Sequence, residues 1–133
     1  MTTTTGILVT QRIFAAFGAG DIPGILADLD EDVTIEFYGP ASIPYAGSYR
    51  GLPEARRFFE TVLASVDVLR FEPEEFLADG DKVVVTGSLK LTAKATGRTF
   101  DSAFVHVITV RDGKWVRFRD FMDTAVATAA FGA

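Results

Sequence analysis

Residues 79–122 read DGDKVVVTGSLKLTAKATGRTFDSAFVHVITVRDGKWVRFRDFM, and this stretch decides the fold. Asp79-Gly80 and Asp112-Gly113 are hairpin-turn dipeptides, because both residue types tolerate the backbone that tight turns require. Between them lie Lys82 to Thr92 and Phe100 to Val110, two β-rich runs joined by the turn Ala95-Thr96-Gly97-Arg98. Trp115 to Met122 follows as a further strand. Leu69 to Ala78 precedes the block as another, with Pro73 marking it as an edge strand or a bulge. The second half of the chain is therefore an antiparallel meander.

Upstream, Val9, Ile13 and Phe17 recur at i, i+4 and i+8 beside Phe14, the stripe of an amphipathic helix. Gly18 and Gly20 stop it. Asp21 then reads as an N-cap, with Pro23 in a first turn where a missing N–H costs nothing. Ile22, Ile25, Leu26 and Leu29 give a second short helix, closed by Asp30-Glu31-Asp32. Val33 to Tyr38 alternates and reads as a strand. Gly39 to Gly51 (GPASIPYAGSYRG) reads as a loop. Pro53 opens a third helix that turns Phe58, Phe59, Val62, Leu63 and Val66 inward and Arg56, Arg57 and Glu60 to water. The tail, Thr124 to Ala133, reads as a short helix or a strap. Helices segregated from strands in this order mean α+β. The fold expected for residues 1–133 is one domain, three helices in a strongly curved, mostly antiparallel sheet with a pocket between them.

Composition narrows the chemistry. At 133 residues the chain has room for about one domain. It is 48% hydrophobic, and 12 of its aromatic residues are Phe, enough to fill a core and line a cavity. A net charge of −5 argues against nucleic acid, whose phosphates need a basic surface. Without cysteine there is neither disulfide nor thiolate chemistry, and a single His leaves no multi-His metal centre. No cofactor is implied. The start, Met1-Thr2-Thr3-Thr4-Thr5-Gly6, lacks the basic and apolar regions of a signal peptide, and no apolar run approaches ~18 residues. A cytoplasmic protein without membrane contact is the expectation.

The order of elements resembles the nuclear-transport-factor-2-like cone. Residues 11–21 (QRIFAAFGAGD) are similar to the first helix of ketosteroid isomerases. Asp112 to Trp115 and Arg119 to Asp123 resemble the last hairpin of limonene epoxide hydrolases and SnoaL-like polyketide cyclases. Gly39-Pro40, Ile43 to Gly47 and Tyr49 to Gly51 look like the SnoaL-like, ketosteroid-isomerase-related group. The resemblance spans nearly the whole chain and implies isomerase, cyclase or hydrolase activity, or ligand binding without catalysis. Residue by residue, the isomerase Tyr of the first helix falls on Ile13, its general-base Asp on Phe37, and its oxyanion-hole Asp at or near His106. The epoxide hydrolase Arg-x-Asp pair falls on Ser88 and Lys90, and its Tyr-x-Asn pair on Ile35 and Phe37. The carboxylate of the last strand, which both the hydrolase and the cyclases use, is matched by Asp120.

Strand parity selects the candidate residues. Val116, Phe118, Asp120 and Met122 share one apolar face, and Trp115, Arg117, Arg119, Phe121 and Asp123 the other. An ionised Asp among apolar residues costs several kcal/mol unless paired, so Asp120 is either a paired structural acid or an acid/base catalyst. His106 shares its face with Phe100, Phe104, Ile108 and Val110 and is the nearest partner, and pairing with Asp120 would fix the imidazole tautomer. Tyr38, Tyr45 and Tyr49 bracket the Gly/Pro loop, where they would orient a substrate oxygen or merely cover the opening. Phe17, Phe37, Phe104, Phe118 and Met122 complete the expected binding surface for a small hydrophobic molecule. Ser88 and Lys90 stay open: the Val83, Val85, Leu89, Leu91 alternation points them to solvent, while the resemblance points them into the pocket. The Trp115–Phe121 face has the Arg and aromatic content of an interface, so a homodimer is expected. Asp123 reads as a cap or salt-bridge partner.

Overall fold

In the computed structural model, which describes residues 3–132, helix α1 (Thr3–Gly18) runs to the Gly18–Gly20 corner. Met1, Thr2 and Ala133 lie outside the described residues, and with them the start of the N-terminal reading and the end of the tail. Asp21 caps α2 (Ile22–Ala27) by accepting from the Gly24 N–H at 3.0 Å, with proline in the first turn. The acidic triplet does not close that helix. Strand β1 (Leu29–Phe37) starts at once, because the Asp28 carbonyl takes the Trp115 N–H at 3.0 Å and Leu29 pairs with Trp115. Asp30 to Asp32 then form an irregular stretch in which the Asp30 carboxylate accepts from the Asp32 N–H.

The Gly/Pro segment holds a short edge strand, β2 (Gly47–Arg50), antiparallel to β1. Helix α3 (Gly51–Ser65) begins two residues before Pro53, where Glu54 reaches back to the Arg50 N–H at 2.7 Å. It buries Ala55, Phe58, Phe59 and Val62, whereas Val66 already belongs to β3 (Val66–Asp79). Strands β4 (Lys82–Ala93), β5 (Thr99–Arg111) and β6 (Lys114–Met122) complete one sheet in the order β2-β1-β6-β5-β4-β3. Its pairs are antiparallel except β1 with β6.

Curvature comes from register slips. Edge strand β3 slips between Val68 and Arg70 and again between Pro73 and Glu75, so Pro73 marks both an edge and a bulge. Opposite Pro73, Gly87 has room for no side chain: a Cβ there would strike the Glu72 carbonyl and the Phe104 ring. On β4, Val83, Val85, Leu89 and Leu91 are buried and point inward. Ser88 and Lys90 therefore lie on the outer face, as the alternation indicated.

One slip overturns an expectation. Val110 pairs with Trp115 but Thr109 with Arg117, so Val116 is an extra residue in β6. Below this bulge the parity reverses. Trp115 faces the core, 1% exposed, its ring stacked on Phe118 at 4.8 Å and its Nε1–H donating to Thr10 Oγ1 at 3.0 Å. Arg117 stays outside and holds Glu36 through its Nη2 at 2.8 Å. Tyr38 lies against Phe121 on that outer side.

A fourth helix, α4 (Thr124–Phe131), forms the tail. Asp123 caps it by accepting from the Ala125 and Val126 N–H groups. Thr96 and Arg98 donate to the Ala130 and Ala129 carbonyls and dock it, while Phe131 packs on Tyr45 and Phe100. Among the described residues no helix is long and apolar enough to cross a membrane.

Candidate functional site

The inner face of the sheet and helices α1 and α3 enclose a cavity with about 70 Å³ of free space. That is several times the ~10–15 Å³ one water needs. Its walls are Ile13, Phe14 and Phe17 of α1, Phe58, Phe59 and Val62 of α3, and Phe37, Phe71, Leu89, Leu91, Trp115, Phe118 and Met122 of the sheet, among others. Tyr45, His106 and Asp120 are the ionisable residues among its lining. The only other polar lining group, the Trp115 indole N–H, is already spent on Thr10.

Strand register makes the site. In the antiparallel β5–β6 pairing His106 sits directly opposite Asp120, and in the parallel β1–β6 pairing Phe37 does. The His106 Nε2 atom lies 3.3 Å from Asp120 Oδ1. This is longer than a formed N–H···O bond of about 2.7–3.2 Å. No hydrogen bond reaches the Asp120 carboxylate from the side chains among the described residues, and its side chain keeps 17% exposure. The carboxylate thus has lone pairs to spare. His106 is clamped between Phe104 at 4.4 Å and Phe118 at 4.8 Å, and its Nδ1 is buried without a hydrogen-bond partner.

Tyr45 is held from several sides. Its ring meets Phe37 at 5.0 Å and Phe131 at 6.0 Å, and the Tyr49 hydroxyl donates to its carbonyl at 3.0 Å. The Tyr45 hydroxyl is buried with no partner, an arrangement that leaves a donor facing apolar walls. Burial first, and the Asp120 charge second, push its ionisation well above the ordinary phenol value of 10. The neutral phenol is therefore favoured in the folded chain. Its contribution to stability is whole below pH 10 and declines as pH rises beyond it. Wild type is expected to lose up to about 1.4 kcal/mol more per pH unit above 10 than Tyr45→Phe in urea melts at pH 9–11. Parallel curves for the two proteins would refute this.

The expected site residues divide as follows. Phe17, Phe37, Tyr45, His106, Phe118, Asp120 and Met122 line the cavity. Phe104 is set back from it, stacked on Phe71 at 4.9 Å, and acts as the backing of His106. Tyr38 is 42% exposed and stacks on Phe121 outside the cavity. Tyr49 is buried behind Tyr45 with Arg57 over its ring. Neither reaches the cavity, because β2 takes Tyr49 and the chain turns out of the sheet at Tyr38. Trp115, Val68 and Phe71 are lining residues that strand alternation missed. Bulges put them there, and neither bulge is signalled by its neighbours. Among the described residues no cluster of three or more His, Asp or Glu side chains is arranged to hold a metal.

The comparisons with known proteins agree with this architecture. The SnoaL-like domain model matches residues 10–118, and the chain belongs to that family, within the nuclear-transport-factor-2-like fold. An NTF2-like protein of Burkholderia xenovorans is 33% identical over 99% of both chains, with a TM-score of 0.91. A second, of unknown function from Burkholderia pseudomallei, is 31% identical over 100% of both chains, TM-score 0.86. TerC, crystallised with polyporic acid, is 28% identical over 97% of this chain and 99% of its own, TM-score 0.84. No curated protein matches the chain.

Proposed function

We propose that the cavity binds a compact, mostly apolar organic molecule carrying a carbonyl or enol oxygen, and that Asp120 moves a proton on it. One observation carries this reading. In a cavity walled by aromatic and aliphatic side chains, Asp120 and Tyr45 line the same space, and the buried Tyr45 hydroxyl has no partner. An unsatisfied buried donor costs about 1–3 kcal/mol, which a ligand oxygen would recover. The crystallisation of the relative TerC with polyporic acid supports a ligand site in this fold.

In the step proposed, Asp120 takes the proton from a carbon next to the carbonyl. The C–H electron pair moves into the enolate, and the developing charge falls on oxygen. The Tyr45 hydroxyl, neutral under ordinary conditions, donates to that oxygen. In a substrate with a C=C one carbon further on, return of the proton to the far end of the dienolate completes an isomerisation. Attack by the enolate carbon on a second carbonyl, with the proton passing from Asp120 to the new alkoxide, completes a cyclisation. Both are redox-neutral. His106 stands beside the carboxylate, its Nε2 3.3 Å from Oδ1.

The test uses 2-tetralone, a bicyclic ketone with exchangeable protons beside its carbonyl. Binding is read from quenching of Trp115, the chain's single tryptophan and a cavity wall. Deuterium incorporation in heavy water, followed by proton NMR, reads the proton transfer. The wild-type protein is expected to bind the ketone and accelerate exchange over buffer, and Tyr45→Phe to weaken binding about tenfold. Saturable binding with exchange at the buffer rate would overturn the catalytic step. Absence of binding would overturn the ligand site.

A further inference from the structure

The cavity is not sealed equally on all sides. Tyr45 and its supports close the end beneath α4: Phe131 packs on the ring and Tyr49 ties down the backbone. The Gly/Pro segment is therefore a plug, where sequence reading expects a mouth. On the side of edge strand β3 the wall is thin. Val68 lines the cavity yet is 38% exposed, and its neighbours Phe17 and Phe71 are half-buried. These three, with Val66, also line a surface hollow bounded by Gly18–Gly20 at the end of α1. The two spaces share these four residues as a common wall.

We infer that ligands enter between the C-terminal end of α1 and the first residues of β3, and that Val68 is the gate that sets how broad a molecule passes. The backbone there is suited to the task. β3 is an edge strand with no neighbour beyond it, and its register slips between Val68 and Arg70. Edge segments with broken pairing open at lower free energy than the sheet centre. On the α1 side, nothing lies within 4 Å of where a Cβ would stand on Gly18 or Gly20, so the approach is clear. Lys94, at the rim, is not a ligand anchor. Its backbone N–H donates to the Ser65 carbonyl at 2.9 Å and its Nζ to the Leu63 carbonyl at 3.1 Å, so it ties off the end of α3. Passage is decided by the apolar side chains of Phe17, Val68 and Phe71.

The inference rests on the cavity being a ligand site, but its test needs no ligand. Trp115 lies inside, 1% exposed, so collisional quenching by acrylamide measures how readily a small molecule gets in. Val68→Phe is expected to lower the quenching rate constant roughly threefold and Val68→Ala to raise it about twofold, by narrowing and widening the gate. Leu69→Phe is the control: Leu69 is 57% exposed, sits in the register slip and lines neither space. It is expected to leave quenching unchanged. The inference is overturned if both Val68 variants match wild type, if Leu69→Phe slows quenching as much as Val68→Phe, or if Phe131→Ala alone accelerates it. Should Val68→Phe fold poorly, the opposite-signed Val68→Ala result decides. If the Val68 series behaves as stated while 2-tetralone does not bind, the functional reading fails and the entrance stands.

Discussion

Asp120→Asn is expected to slow 2-tetralone deuterium exchange by about 10²–10⁴-fold while the ketone still binds. The amide has the shape of the carboxylate but cannot accept the proton. The geometry keeps the substitution clean, because no hydrogen bond to the Asp120 carboxylate is broken and the strand pairing runs through its backbone. Stability in urea should change by no more than about 1–3 kcal/mol, the range for altering one polar group in an enclosed site. His106→Gln, which removes the neighbour but leaves the base, is expected to lower exchange less. An Asp120→Asn protein that folds, binds and exchanges at the wild-type rate would remove Asp120 from the mechanism. Because binding and exchange are read separately, loss of affinity cannot pass for loss of chemistry.

Trp115→Ala is expected to destabilise the fold by about 3–5 kcal/mol, the usual cost of emptying a buried aromatic site. Trp115 is among the largest fully buried side chains, stacked on Phe118, edge-on to Phe14 and hydrogen-bonded to Thr10 across α1. Its removal deletes that packing, orphans the Thr10 hydroxyl in the core and merges the void with the cavity. The measurement is a urea melt followed by circular dichroism, since the variant has no tryptophan to fluoresce. The magnitude separates two placements of the residue. On the outer face with Arg117, where plain alternation puts it, the change would fall within about 0.5 kcal/mol. A loss below 1 kcal/mol would therefore refute the bulge at Val116.

The halves of the site were not equally legible. Asp120 and His106 stand out in the sequence as polar residues on apolar strand faces. Both tight-turned hairpin arms keep a two-residue period at these positions, so parity places them correctly. Their being opposite each other depends on the β5–β6 register, which the Asp112-Gly113 turn and the Val116 bulge set together. The three tyrosines flanking the Gly/Pro segment look alike in sequence. Only Tyr45 reaches the cavity, because β2 pairs Tyr49 with Ile35 while Tyr38 stacks outside on Phe121. Ser88 and Lys90 were settled by the uninterrupted inward run of Val83, Val85, Leu89 and Leu91.

By itself the sequence determined the class of fold and the short menu of chemistry. Glycine and Asp-Gly turns, helical stripes and strand alternation are local, and so are the absence of cysteine and the presence of one histidine. The tertiary structure alone decided which polar groups stay unpartnered, which aromatic residues wall the cavity and where that cavity opens. Those outcomes turn on single-residue register slips in β3 and β6, and a slip of one residue sends every following side chain to the opposite face.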